Sequence, residues 1–244
     1  MKRSILAIVM LLIMASSSYG GFDEGLAAYE NRNYIEAFSE LYRLAAAGDT
    51  NSQNILGMMY SKGQGVEKNE SEAARWFRKA AEGGHPGGQY NLGIVYAEGK
   101  LGYRDYGEAA KWFRKAAEQG YSKAQYNLGI LYANAQGVPE DYCEAAKWYR
   151  KAAEQWDREA QFSLGSMYAE GACMAKNYRN AIVWIKKAAM QGHARAQYNM
   201  GVFYEQGLGV EQDLEEAIQW YRKAAEQGNE NAQYNLNLLL RQTR

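Results

Sequence analysis

His85 and His193 are the side chains in this sequence most suited to acid–base or metal chemistry, and each follows a turn glycine. Gly63-x-Gly65-Val66 and Gly207-x-Gly209-Val210 look like fragments of phosphate-binding loops, whose glycines let backbone amides close on an anion. Cys143 and Cys173 are the two cysteines, able to join as a disulfide or to stay as free thiols. A Ser-x-x-Lys nucleophile pair does not occur. A fourth set suits gripping more than reacting: Tyr90, Tyr126, Phe162, Tyr198 and Tyr234 recur at one interval, with Asn91, Asn127, Asn199 and Asn235 beside four of them. Rings offer contact area at small entropy cost, and amides both donate and accept hydrogen bonds along an extended backbone. Which chemistry survives depends on the elements that carry these residues.

Bulk properties narrow the field. The 244 residues hold 28 basic and 28 acidic groups, so no electrostatic footprint for nucleic acid is expected. Lys2 and Arg3 precede an apolar run from Ile5 to Met14, and small residues then lead to Gly20, the layout of a secretory signal peptide. Residues 1–20 are therefore expected to be cleaved, the alternative being an uncleaved anchor. The run is too short to span a bilayer comfortably, so no stable membrane insertion is expected after cleavage. The basic end and brief apolar core suit bacterial export, to the periplasm or beyond.

The remaining chain is periodic. AQYNLG at Ala124–Gly129 returns as GQYNLG, AQFSLG, AQYNMG and AQYNLN, and Gly57, Gly93, Gly129, Gly165 and Gly201 are 36 residues apart without insertion or deletion. A fixed period of that length marks a repeat architecture. Each repeat reads as two helices. In the first, Ala124, Leu128, Ile130, Leu131 and Tyr132 recur at three- and four-residue spacings and give a buried face. The second opens on Asp141-x-x-Glu144, where the Asp caps a free amide and the Glu reaches back to the cap residue. Asn69 with Glu72, Asp105 with Glu108 and Asp213 with Glu216 repeat that box, while Asn177 is followed by Asn180. Gly84, Gly120, Gly192 and Gly228 then permit the left-handed conformation that stops a helix.

The string Tyr-Asn-Leu-Gly-x-x-Tyr, then Gly-x-Gly-Val, then Asp-Tyr-x-Glu-Ala-Ala-Lys-Trp-Tyr-Arg-Lys-Ala-Ala-Glu-Gln resembles the Sel-one-like repeat (SLR), a relative of the tetratricopeptide repeat. The resemblance implies an all-α, right-handed α-solenoid of about thirteen helices. Residues 51–230 divide into five repeats, 51–86, 87–122, 123–158, 159–194 and 195–230. Residues 21–50 form a tetratricopeptide-like amino-terminal cap, and 231–244 a polar carboxy-terminal helix that covers the last repeat. In the tetratricopeptide arrangement, first helices line a concave surface. The position three before the repeat glycine points into that groove, and here it holds Asn54, Tyr90, Tyr126, Phe162, Tyr198 and Tyr234. The tyrosines and asparagines either bind a partner there or brace adjacent helices. Trp76, Trp112, Trp148, Trp184 and Trp220 read as packing residues.

On such a scaffold the catalytic readings weaken. Three repeats separate His85 from His193, too far to share an ion at roughly 10 Å per packed helix layer, so both read as solvated turn residues. The glycine pairs follow helices and lack a downstream Lys-Ser/Thr, so they read as interhelical loops. Some cysteine-rich SLR proteins are associated with β-lactam binding or hydrolysis, but paired cysteines in every repeat are missing here. Cys143 opens a second helix, and Cys173 lies in the next repeat's interhelical loop on the same edge of the stack. Irregularities gather around them: Ala135 replaces a loop glycine, Trp156 takes a helix-stop glycine's place and Ser163 replaces a ladder Asn. Trp156 would dock on its own next repeat or on a partner. The expectation is an exported, non-enzymatic scaffold, without cofactor or metal, that binds a protein or peptide partner. A cell-wall glycan binder is the alternative, and a β-lactam-binding or hydrolysing protein follows.

Overall fold

A computed structural model describes residues 21–242, so the expected signal segment lies outside the described residues. Every regular element among those residues is a helix, and there are thirteen. Helix α1 covers 21–30. There follow α2 (Tyr34–Ala46), α3 (Thr50–Lys62), α4 (Glu70–Glu82), α5 (Pro86–Glu98) and α6 (Tyr106–Glu118). The second half holds α7 (Ser122–Ala133), α8 (Tyr142–Glu154), α9 (Arg158–Glu170), α10 (Tyr178–Met190), α11 (Ala194–Gln206), α12 (Leu214–Glu226) and α13 (Glu230–Gln242). The chain forms two compact units, one ending at Gln119 and one beginning at Gly120. Within each, from α2 to α6 and from α7 to α13, every helix packs on the next. This is the all-α solenoid of helix pairs that the period implies. First helices are α3, α5, α7, α9, α11 and α13, and second helices are α4, α6, α8, α10 and α12.

Local chemistry sets the boundaries. Asn69, Asp105, Asp141, Asn177 and Asp213 cap the second helices by accepting the backbone amide three residues on. The Glu of the box does not reach back as expected: Glu72, Glu108 and Glu144 turn to Arg75, Lys111 and Lys147, one helical turn along on the same face. The 36-residue glycine has a packing cause. A Cβ on Gly57 would lie 2.4 Å from the Phe77 ring, and on Gly129 2.6 Å from the Tyr149 ring. The missing side chain lets a ring of the second helix lie against the first helix's backbone. Around these contacts the interior alternates large and small residues. One cluster joins Ala37, Leu41, Leu56, Met59 and Trp76, and another joins Ala145, Tyr149, Ala152, Ala160 and Leu164.

A second device was not read from the sequence. Gln53, Gln89, Gln125, Gln161 and Gln197 are buried on the first helices. Gln161 donates from Nε2 to the Ala153 carbonyl at 3.1 Å, and its Oε1 accepts from Gln191 at 2.9 Å. Gln197 repeats this with Ala189 and Gln227, and Gln89 with Ala81 and Gln119. Each bridge ties a first helix to the second helices before and after it, so the amide is fully paired although it leaves water. The rung at Gln53 is unfinished. Its Nε2 reaches the Ala45 carbonyl, but Oε1 is buried and bare because Gly83 stands where Gln119, Gln155, Gln191 and Gln227 stand later.

Candidate functional site

The aromatic row sits half in the core and half at the surface. In the first unit the Tyr90 ring lies 5.8 Å from that of Phe113. In the second, Tyr126 lies 5.7 Å from Tyr149 and Tyr198 5.8 Å from Tyr221, while Tyr234 on the last helix is 65% exposed. Each of these inner rings braces its own repeat and is only half-buried. Phe162 differs because Ile185 replaces the second-helix ring; it stacks on His193 at 4.5 Å, with the Arg195 guanidinium 5.0 Å from its centroid. Burial raises the Tyr126 and Tyr149 hydroxyl pKa values, and Tyr221 is raised by burial and by its hydrogen bond to Glu205. These hydroxyls stay protonated at neutral pH.

The asparagines divide. Asn91 donates to Asn54 at 2.9 Å and Asn235 donates to the Tyr221 hydroxyl at 3.1 Å, so both brace the fold. The side chains of Asn127 and Asn199, half-buried beside Tyr126 and Tyr198, make no hydrogen bond among the described residues. Ser163 takes the equivalent place on α9. The second unit thus brings together three rings and two uncommitted amides on α7, α9 and α11.

Both histidines depart from the solvated role expected of them. His85 Nδ1 accepts the Gly88 amide at 3.0 Å and its Nε2 meets Asn51 Oδ1 at 3.1 Å. His193 Nδ1 accepts the Ala196 amide at 3.1 Å, leaving Nε2 to donate to Glu159 at 3.1 Å. They are the amino-terminal caps of α5 and α11, a role that Asp49 fills on α3, Asp157 on α9 and Asn229 on α13. Both ring nitrogens of each imidazole are thus engaged by the fold. No group of three or more His, Cys, Asp or Glu suited to a metal ion occurs among the described residues. The glycine-rich loops are left-handed stops after α3 and α11, with Gly63 at φ 68° and Gly207 at φ 65°. An open recess of about 580 Å³ beside the α1–α2 turn is lined by Arg32, Tyr34, Ile35, Gly65 and Glu67.

The second-helix tryptophans are also engaged. Trp76, Trp148 and Trp220 are buried, and in all five repeats a lysine three residues on lies 4.1–4.3 Å from the indole centroid. Cys143 and Cys173 are disulfide-bonded, with Cα atoms 5.1 Å apart, joining the start of α8 to the α9–α10 loop. Trp156 is 67% exposed and in the left-handed region at φ 66°; the next repeat takes up its carbonyl, through Gln191 Nε2 at 3.1 Å, but does not cover the ring.

The Sel1 repeat family profile matches residues 50–85, 86–121, 122–155, 158–193 and 194–229, most of the chain. The chain belongs to the Sel1 repeat family. All five begin one residue before the divisions read from the glycine period, and the third match ends at 155. A Sel1 repeat protein from Oxalobacter formigenes is 35% identical over 88% of this chain and 86% of its own, with a TM-score of 0.82. A protein from uropathogenic Escherichia coli, c5321, described as a protective antigen with an SLR fold, is 36% identical with a TM-score of 0.87. That match covers 93% of this chain but 49% of the E. coli protein, so this chain spans about half the length of that relative. The immunity protein PA5088 from Pseudomonas aeruginosa shares the fold alone, at 18% identity and a TM-score of 0.55 over 85% of this chain and 82% of its own. Among curated proteins none matches. A Sel1 repeat scaffold is a fold suited to protein–protein interaction. No helix among the described residues is long and apolar enough to cross a membrane.

Proposed function

We propose that this Sel1 repeat protein is an exported, non-catalytic scaffold that binds a protein or peptide partner on the face of its first helices, in bacterial envelope function or its regulation. The observation that carries the reading is the pair of uncommitted amides, Asn127 and Asn199, set beside the half-exposed rings of Tyr126, Phe162 and Tyr198. An amide that the fold leaves unpaired at a half-buried position gains most from a ligand backbone that supplies both donor and acceptor. The rings beside it supply contact area. Export rests on the layout of residues 1–20, and the description of the E. coli relative as a protective antigen fits an exported chain.

Two alternatives lose ground on specific contacts. A glycan binder would draw on a row of bare indole faces, and a lysine lies over each second-helix tryptophan, which leaves Trp156 as a single exposed indole outside that row. A hydrolase needs a free base, and both histidines cap helices. The test is affinity purification of the mature protein from its native envelope, followed by direct binding of the recovered partner to Asn127→Ala/Asn199→Ala. The double variant should lose about tenfold or more in affinity with unchanged helicity. Undiminished binding contradicts the reading.

A further inference from the structure

The solvent-facing stripe of α10 is unlike that of any other second helix. Positions 179, 183, 186 and 190 are spaced four, three and four residues apart, so they share one helix face, and all four are exposed. Here they read Arg179, Val183, Lys186, Met190. The same stripe reads Ser71, Arg75, Arg78, Glu82 on α4 and Cys143, Lys147, Arg150, Glu154 on α8, and on α12 it reads Glu215, Gln219, Arg222, Glu226. Three charges have gone from α10 together. Asn180 replaces the Glu and Val183 the Lys or Arg that form the ion pairs Glu72–Arg75, Glu108–Lys111 and Glu144–Lys147, and Met190 replaces the last Glu. Helix α10 is left with Arg179, Lys186 and Lys187 and no carboxylate. Lys187 lies over Trp184, while Arg179 and Lys186 form no ion pair among the described residues.

Core packing does not account for this. Ala181, Ile185, Ala188 and Ala189 fill the interior, whereas Val183 is 52% and Met190 73% exposed. Next to the Met190 end of α10 stands Trp156, tied to it through Gln191. An L-residue in the left-handed region is strained relative to glycine, and glycine holds this place in the other four repeats. Here the chain bears that strain and still leaves the indole in solvent, an outlier of the kind that clusters at functional sites.

We infer that Trp156, Val183 and Met190, rimmed by Arg179 and Lys186, form a second docking edge, separate from the first-helix face, for a protein segment whose apolar side chains are flanked by carboxylates. Charge complementarity selects that occupant: the α10 stripe is apolar and basic and carries no carboxylate. An anionic bilayer is disfavoured, because it would also meet α8 and α12, whose outer stripes carry exposed Glu154, Glu215 and Glu226. A ligand one helix wide along α10 avoids Glu215 and Glu226.

A synthetic amphipathic peptide with a leucine face and glutamate flanks tests this against the purified protein, with anisotropy of the labelled peptide as the readout. The account expects saturable binding that weakens with salt. It should fall about tenfold or more in Val183→Lys/Met190→Glu, which restores residue types of neighbouring repeats at exposed positions, and also in Trp156→Gly. A lysine-flanked peptide should bind at least about tenfold more weakly. Equal binding by wild type and both variants, equal binding of the two peptides, or association only with phosphatidylglycerol vesicles would overturn the inference.

Discussion

The α9–α10 repeat and the α11–α12 repeat share an interior and differ on their outer surface. Inside, Gln161 and Gln197 make the same two bridges, and Gly165 and Gly201 receive Ile185 and Tyr221 at the same depth. Outside, Val183 and Met190 face solvent where α12 shows Gln219 and Glu226, and Cys173 stands where α11–α12 has Gly209. The loop positions share a left-handed backbone, φ 65° and 73°. A Cβ on Gly209 would press on Tyr178 at 2.7 Å, whereas the Cβ of Cys173 leads to a sulfur bonded to Cys143, next to Tyr142 at the equivalent helix start. An interior side chain must satisfy a neighbour on either side at once, so it is repeated. A solvent stripe answers to nothing within the chain and is free to specialise.

If the interiors are equivalent, Gln161→Ala and Gln197→Ala should each cost about 2–4 kcal/mol in urea unfolding followed by helix circular dichroism, since each strands a buried carbonyl and a glutamine amide. Gln53→Ala should cost about half as much, because that rung has one bond. Equal losses at all three would break the comparison. The cysteine loop comes next. Cys143→Ser should lose about 2–3 kcal/mol under oxidising conditions, by opening a crosslink of sequence separation 30. Cys173→Gly should recover about 1 kcal/mol of that through backbone relief. Reductant should bring wild type down to Cys143→Ser.

Completing the unfinished rung should stabilise the first unit. Gly83→Gln alone meets the Thr50 methyl, which a Cβ would approach to 2.4 Å, so the gain of about 1 kcal/mol is expected only with Thr50→Ser. The smallest effect is pH-dependent. Burial lowers the His85 pKa against an opposing pull from Asp49, so the fold favours the neutral ring. The stability it contributes is present above about pH 6.5 and is lost as pH falls below that value. His85→Asn keeps an amino-terminal cap without titrating, and should flatten that part of the stability profile.

Much of this was legible before the fold was known. The glycine period, the Asn/Asp caps and the stop glycines each follow from a backbone requirement that one residue type meets, and Cys143 and Cys173 fell on one edge by repeat position alone. The glutamine bridges were not, because a glutamine in a polar helix reads as surface, and its burial depends on a second glutamine 30 residues later. The histidine caps were missed because imidazole is an uncommon cap, and they are visible only once Nδ1 is seen to accept an amide. Trp156 was singled out as an irregular turn residue, but the stripe beside it emerges only when the four exposed positions of α10 are compared with the other second helices.

The central claim is that the first helices carry the binding face and the repeated interior only builds it. A photo-crosslinking residue placed in the cell at 127 or 199, and at the second-helix positions 147 or 219, tests it most directly. The account predicts one common adduct from 127 and 199 that is missing from 147 and 219. The same adduct from 147 or 219, or none from 127 and 199, would contradict it.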